Sequence, residues 1–353
     1  MVTLRDLWRT AFIVGAALGF GLCVILLASE RPGDAIYAFF LGPFSNAYFF
    51  GNLLASAIPL ILTGAAACVS FSASVFNLGL EGQVYLGSFL GVFLTCRFGE
   101  LPPLVVYPLV FAIVFCCSGT LAALSGYLKR ARNVNVLIST LLISYITIYV
   151  VDALIETVFI DPTAGLAATP YIHDKFLFAR LLPPSDLHSG LFLALALTII
   201  LRIIMKKSAL GFEITLTGKS PVFARYAGVS VSKVLTLSLF ISGGFAGIAG
   251  ITDIYGIHGR MFRGFSSGYG WNGIAVALIA KNHPLWVIPA ALFFAYLENG
   301  ANVGALLADI TPEMARTIQA TIFFTVTADA LFSLIRKNKG GDAWTPSSTV
   351  SSL

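Results

Sequence analysis

Residues 72–91 read SASVFNLGLEGQVYLGSFLG, a stretch in which Asn77, Glu81 and Gln83 stand among glycines inside an otherwise apolar run. A charged side chain at the centre of a bilayer costs roughly 2.5–3.5 kcal/mol on insertion scales, so such a residue normally faces a bundle interior or an aqueous cavity. The glycines predict that a helix is interrupted here, which would free backbone groups to line a cavity. A buried structural carboxylate, hydrogen-bonded to a neighbouring helix, is an equally good interpretation of Glu81.

The whole chain has the composition of a membrane protein. Of its 353 residues, 57% are hydrophobic and 11% are charged, and the mean hydropathy is +0.87. Charged residues make up about 25% of typical soluble domains, so this composition excludes that class. Because each spanning helix needs roughly 20 apolar residues, the length leaves no room for a soluble domain of useful size between the spans.

Ten apolar runs are candidates for transmembrane helices. They lie near residues 11–28, 52–70, 73–96, 104–127, 134–158, 190–205, 234–257, 270–281, 284–302 and 314–335. The eighth run is short, and an apolar segment at 35–50 is broken by Gly42 and Pro43, so re-entrant or interfacial segments would change the count by about one. The predicted fold class is therefore an all-α, polytopic bundle of about ten transmembrane helices.

The distribution of basic residues predicts the orientation. With the N-terminus inside, 15 of the 22 lysines and arginines fall in cytoplasmic segments and seven fall outside. This asymmetry follows the positive-inside rule, and an even number of spans then places both termini in the cytoplasm. Two loops are long, an outer one at 159–189 and a basic inner one at 206–233. We expect one transmembrane domain at 1–340 and a disordered tail at 341–353.

A second polar, glycine-rich element, GIHGRMFRGFSSGYGWNGIAVALIA, begins at Gly256 and leads into the eighth run. It predicts a turn of backbone that enters the membrane. Its loose similarity to the first element, an asparagine and a glycine before an apolar helix, has meaning if the chain contains a two-fold repeat; chance similarity explains it equally well. Tyr85, Tyr269, Trp271 and Asn272 would offer aromatic and amide contacts to a flat heterocyclic solute.

The sequence gives little support to catalysis. The TGKS sequence at 217–220 lacks the glycine that a phosphate-binding loop needs five residues before Gly218, since Glu213 stands there. The four histidines and five cysteines have no metal-ligand spacing, and the basic residues form no nucleic-acid patch. We therefore predict no catalytic residue, metal, cofactor or nucleic-acid partner. An ion-coupled transporter stays an alternative, because four acidic residues could carry protons: Glu81, Asp253, Glu298 and Asp329.

The inner loop contains a candidate docking helix. Pro221 can open a helix, and Gly228 can end one. Phe223 and Tyr226 are three residues apart and fall on one face, with Arg225 beside them, which is the composition of an anchor that enters a partner's groove. The alternative is an ordinary connecting loop whose basic residues only fix the orientation.

At this loop the sequence KKSALGFEITLTGKSPVFARYAGVSVSKVLTLSLFISGGFAGIAG resembles ABC importer permeases of the branched-chain amino acid, ribose and nucleoside superfamily. Five blocks in consistent order between residues 50 and 302 are similar to the nucleoside-type permeases, a group that also includes spirochaetal riboflavin permeases. The blocks are FNLGLEGQ, VNVLISTLLISY, ARYAGVSVSK, HGRMFRGFSSGYGWNGIAVALIA and NHPL. Ser144 departs from the pattern, because asparagine is common there.

The resemblance implies a multi-pass permease subunit in the bacterial cytoplasmic (inner) membrane, without an ATPase site of its own. Its partners would be separate ABC ATPase subunits, a second similar permease, an extracytoplasmic substrate-binding lipoprotein and a small-molecule solute. That solute would be a nucleoside or a nucleoside-like compound such as riboflavin, with a simple sugar as the alternative.

Two sets of site residues follow from the resemblance and from the patterns above. The predicted translocation path contains Asn77, Glu81, Gln83, Tyr85, Tyr269, Trp271, Asn272 and Gly273. The predicted ATPase-coupling element contains Glu213, Pro221, Phe223, Ala224, Arg225, Tyr226 and Gly228.

Overall fold

The computed structural model describes residues 29–266 and 268–308, with isolated positions at 15, 19, 22, 23, 26, 311, 317, 320 and 321. This part of the chain is helical and contains no β-strand, which confirms the all-α class. Its α-helices are α1 (Pro32–Phe40), α2 (Ala47–Ser72), α3 (Leu80–Arg97), α4 (Pro103–Arg132), α5 (Val136–Thr157), α6 (Gly190–Lys207), α7 (Ala209–Lys219), α8 (Pro221–Tyr226), α9 (Val231–Asp253), α10 (Tyr269–Ile279) and α11 (Val287–Leu307).

Four described helices are long and apolar enough to cross a membrane: α2, α4, α5, and α9 with the π-helical turn that extends it to His258. A fifth span results if α10 and α11, which are bent by 119° across a short break, count as one. The ten predicted spans and the cytoplasmic termini are therefore not confirmed. Apart from those isolated positions, the predicted spans at 11–28 and 314–335 lie outside the described residues, as does the whole tail at 341–353.

Two further predicted spans correspond to α3 and α6, which are helical but carry polar ends. α3 opens with Glu81 and Gln83, and α6 closes with Arg202, Lys206 and Lys207. The predicted eighth and ninth spans are the bent pair, which explains why the eighth apolar run is short. The sequence thus predicted the positions of α2–α6, of α8 and of α9–α11, whereas it treated α1 as part of a broken apolar segment and α7 as part of the inner loop.

α9 is the central helix and packs against α2, α3 and α4. Glycines permit these contacts, since a Cβ at Gly87 would collide with the backbone of Gly247, and a Cβ at Gly243 would collide with the carbonyl oxygen of Ser118. Small residues let membrane helices approach closely enough for backbone-to-backbone van der Waals contact. The glycine-rich face of α9 therefore holds the bundle together.

Two non-helical segments, called the first and the second break in chain order, enter this bundle from opposite ends. α2 ends at Ser72, and residues 73–79 lead to α3, which begins beside the middle of α9. Residues 259–266 lead back from the far end of α9 toward α10, which begins beside α3 and packs along α2. α3 runs parallel to α9 and α10 runs parallel to α2, so the two helices start at a common point and leave it in opposite directions.

The predicted long loops have different structures. Residues 159–189 connect α5 to α6 with a single 3-10 turn at Asp174–Phe176, and Phe178 donates its backbone N–H to the carbonyl oxygen of Tyr255 at the end of α9. Burial lowers the pKa of His188 in this loop to about 4, so the imidazole is neutral where it packs on Gly256. Residues 206–233 fold mostly into α7 and α8, between α6 and α9.

Candidate functional site

Glu81 joins the two breaks. Its carboxylate accepts a hydrogen bond from the backbone N–H of Gly270 at 2.7 Å and another from the hydroxyl of Ser266 at 2.5 Å. Gly270 lies in the first turn of α10, and Glu81 lies in the first turn of α3. The N-terminus of a helix carries a partial positive charge and unpaired N–H groups, so the Glu81 side chain, in the first turn of α3, supplies an acceptor to the first turn of α10.

Glycines make this close junction sterically possible. A Cβ at Gly270 would collide with the backbone nitrogen of Glu81. Gly268, the N-cap of α10, has φ = +87°, in the left-handed region that side chains rarely adopt. On the other break, a Cβ at Gly79 would lie 2.8 Å from the carbonyl oxygen of Thr140. In the sequence, these glycines indicated an interruption. Gly79 and Gly270 have contacts that exclude a larger residue, whereas Gly268 is surrounded by open space and is required for its positive φ.

A pair of amide side chains fixes the first break. Asn77 donates to Gln83 at 2.9 Å and Gln83 donates back at 3.1 Å. Asn77 also donates to the hydroxyl of Ser242 in α9 at 3.0 Å and accepts from the backbone of Gly79 at 3.0 Å. Asn77 has no exposed surface, and buried polar groups of this kind need partners. The network therefore closes the break and attaches it to the central helix.

Hydroxyl groups of α5 satisfy backbone groups at the start of α3. Ser144 accepts from the N–H of Gly82 at 2.8 Å, and Thr140 accepts from the N–H of Leu78 at 3.2 Å. Sequence reasoning missed these two residues and also Ser242 and Ser266. The available signal was a set of small hydroxyl residues in apolar segments, which frequently bond across membrane helices.

The predicted path residues gather around this junction but differ in exposure. Glu81 is 8% exposed and Gln83 and Tyr85 are also buried; the Tyr85 ring lies 5.1 Å from that of Phe265. Gly273 is buried against Thr63, Tyr269 and Asn272 are half-buried, and Trp271 is 42% exposed. The buried members have partners within the chain, as the structural interpretation of Glu81 expected. Lining of a solute path by these residues stays a prediction.

The other acidic residues occupy separate positions. Asp253 is buried at the end of α9, where it accepts from the hydroxyl of Tyr269 at 3.3 Å and lies 3.2 Å from Nε2 of His258. Glu298 is half-buried in α11, and Asp329 lies outside the described residues. Over the described residues, no group of three or more histidine, cysteine, aspartate or glutamate side chains could hold a metal ion.

The short helix predicted after Pro221 is present as α8. Ser220 caps it by accepting from the N–H of Phe223 at 3.2 Å, and Gly228 follows it with φ = +83°. Phe223 is 60% exposed and Tyr226 is 88% exposed, whereas Ala224 is buried on the bundle side. Arg225 is exposed, and Glu213 is half-buried on α7. The helix therefore presents two aromatic side chains away from the bundle.

α7 attaches this exposed helix to the first break. The carbonyl oxygen of Gly218 accepts from the hydroxyl of Ser74 at 2.7 Å, and a Cβ at Gly218 would collide with the carbonyl oxygen of Ser72. Ser74 has φ = +56°, so the chain leaves α2 through a left-handed residue at this contact. The TGKS sequence lies at the end of a helix, and its glycine serves packing.

Comparison with known proteins identifies relatives over most of the chain. Residues 49–327 match the family described as "Branched-chain amino acid transport system / permease component". A probable riboflavin import permease protein of Treponema pallidum is 29% identical over 86% of this chain and 81% of its own length. A glucose ABC transporter permease protein of Haloferax volcanii is 30% identical, over 89% and 85%. A guanosine ABC transporter permease protein of Bacillus subtilis is 29% identical, over 94% and 96%.

The Glu81 junction generates a prediction about stability. We expect Glu81→Ala to lower the free energy of unfolding by about 2–3 kcal/mol, because the N–H of Gly270 and the hydroxyl of Ser266 lose their acceptor in the interior. Glu81→Gln keeps one acceptor oxygen and should cost less. Thermal unfolding of the purified variants in detergent measures both, with Glu100→Gln, at an exposed turn, as the control. Equal melting temperatures for Glu81→Ala and the wild type would contradict a stabilising role for Glu81 at the junction.

Proposed function

Because the chain belongs to the branched-chain amino acid transport system permease family, we propose that it is the transmembrane permease subunit of an ABC importer. It would act as a multi-pass protein of the bacterial cytoplasmic membrane, with both termini inside as the basic residues predict. The energy comes from separate ATPase subunits. A second, similar permease and an extracytoplasmic binding lipoprotein complete the proposed assembly.

The proposed solute is a nucleoside or a nucleoside-like compound such as riboflavin. The names of two relatives, a guanosine permease and a probable riboflavin permease, support this class. A third relative is named a glucose permease, which supports a simple sugar as the second candidate. Trp271 and Asn272, the more accessible members of the predicted path, supply an aromatic face and an amide that suit a heterocycle.

The observation that supports coupling to an ATPase is the exposure of α8. Phe223 and Tyr226 expose large apolar surface in a short helix that the bundle does not cover. Aromatic side chains in a partner's pocket commonly carry most of the binding energy of an interface. In the proposed mechanism, α8 inserts into a groove of the ATPase and follows its movement.

The movement then passes to the first break. α8 packs on α7, and α7 contacts Ser72 and Ser74 where the chain leaves α2. The next residues contain Asn77, whose amide network holds the start of α3 and hence Glu81. A displacement of α7 would therefore change the positions at which α3 and α10 begin. Rigid contacts of this kind transmit motion between two arrangements of a packed interior.

The proposal predicts which solute moves and what drives it. The chain alone in liposomes should neither hydrolyse ATP nor take up solute in response to a proton gradient. Together with its ATPase and binding protein, it should take up labelled guanosine or riboflavin in preference to glucose when ATP is supplied. Proton-driven uptake by the chain alone would refute the ABC mechanism. Preferred uptake of glucose would change only the proposed solute and leave the mechanism intact.

A second prediction concerns α8. Phe223→Ala combined with Tyr226→Ala removes both anchors without touching the buried Ala224, so the permease should insert normally. We expect loss of co-purification with the ATPase and at least a tenfold fall in uptake. Phe192→Ala, at an equally exposed aromatic on α6, should change neither. Normal association and transport by the double variant would rule out α8 as the coupling element.

A third prediction concerns the contact between α7 and the break. Gly218→Ala forces α7 away from Ser72, and Ser74→Gly keeps the left-handed conformation while it removes the hydrogen bond. Both variants should still bind the ATPase through α8, but the amount of solute moved per ATP hydrolysed should fall at least fivefold for Gly218→Ala and less for Ser74→Gly. Gly33→Ala, at a site with open space, is the control. If Gly218→Ala moved as much solute per ATP hydrolysed as the wild type, another contact would have to transmit the movement.

A further inference from the structure

A small cavity lies at the end of the bundle opposite α8. It has a volume of about 270 Å³ and opens between the last turns of α3 and the loop that follows α5. Phe89, Phe93 and Phe159 form its walls, with ring centroids 5.1–6.3 Å apart. Cys96 and Arg97 stand at its α3 side. The proposed transport function uses none of these residues.

The polar groups of the cavity are few. The hydroxyl of Thr169 already accepts from the backbone N–H of Met261 at 3.0 Å. Arg97 is exposed in the last turn of α3 and takes part in none of the ion pairs that the described residues form. The cavity therefore combines an apolar interior with one cation at its rim.

This combination does not suit the proposed solutes. Sites for small polar ligands contain a few precisely placed polar groups that fix the ligand's orientation. This cavity offers no free hydrogen-bonding side chain in its interior, so the hydroxyl groups of a nucleoside or of riboflavin would lose their water contacts without replacement. An occupant with an apolar chain and an anionic head matches it better.

We propose that the cavity holds the headgroup-proximal part of one acyl chain of an anionic phospholipid, whose phosphate pairs with Arg97. The cavity lies at the end of a membrane-embedded helix, where arginine side chains reach the headgroup region. A guanidinium forms paired hydrogen bonds with phosphate oxygens, and the aromatic walls enclose the chain. The proposal requires the membrane location of the chain and is independent of which solute is carried.

Cys96 supplies a native probe. We would keep Cys96 as the single cysteine by replacing Cys23, Cys68, Cys116 and Cys117 with serine, and measure its reaction with N-ethylmaleimide in nanodiscs. The discs contain phosphatidylcholine, whose choline ammonium neutralises its own phosphate, alone or with one fifth phosphatidylglycerol, whose phosphate has no such counter-charge. We expect the anionic lipid to slow the reaction at least threefold, Arg97→Gln to abolish the difference, and Arg97→Lys to retain most of it.

A second single-cysteine variant is the matched control. Cys116 borders a more open apolar hollow on α4 that contains no cation, so its labelling rate should not depend on the headgroup. Equal rates at Cys96 in both discs, or an unchanged difference after Arg97→Gln, would overturn the proposal. The same slowing at Cys116 would also overturn it, because the effect would then belong to the membrane surface. Slowing by guanosine or riboflavin in phosphatidylcholine discs would instead assign the cavity to solute.

Discussion

The carboxylate of Glu81 lies between the first turns of two helices that run in opposite directions. An interrupted membrane helix leaves N–H groups without intrahelical partners, and no water is available in the hydrocarbon region to replace them. One acidic side chain meets part of this need for α10 while it remains in the first turn of α3. The position of both breaks, and with it the shape of the interior, depends on this bridge.

Glycine contacts make the bridge possible. The backbones of α3 and α9 touch at Gly87 and Gly247, and Gly270 lies directly on the backbone of Glu81. Apolar side chains gain little from each other in lipid, so the stability of such a bundle comes from close packing and interhelical hydrogen bonds. The hydroxyls of Ser144 and Ser242 supply those bonds at the first break. The interior is consequently packed with little free space around its polar groups.

Within the described residues, α7 connects the same interior to the exposed helix α8. α8 presents Phe223 and Tyr226, and α7 lies between α8 and the left-handed Ser74 at the start of the break. In the proposed function, this arrangement would give the permease a mechanical input next to the first break. The cavity beside Arg97 lies at the other end of α3, so one helix extends from the proposed input to the proposed lipid site.

The sequence by itself determined the membrane class, the helical content, the two interruptions and the short helix after Pro221, because apolar runs, glycines and capping residues act within a few positions of the chain. The prediction of ten spans needed more than these local signals. Whether an apolar run crosses the whole membrane depends on charged helix ends and on the 119° bend between α10 and α11. Only the tertiary structure decided that Glu81 meets Gly270, a contact between residues 189 positions apart. Likewise, only the tertiary structure shows that Ser144, Ser242 and Ser266, among many similar serines, form hydrogen bonds at this junction. Such contacts depend on how distant helices pack, and no local pattern in the chain records that packing.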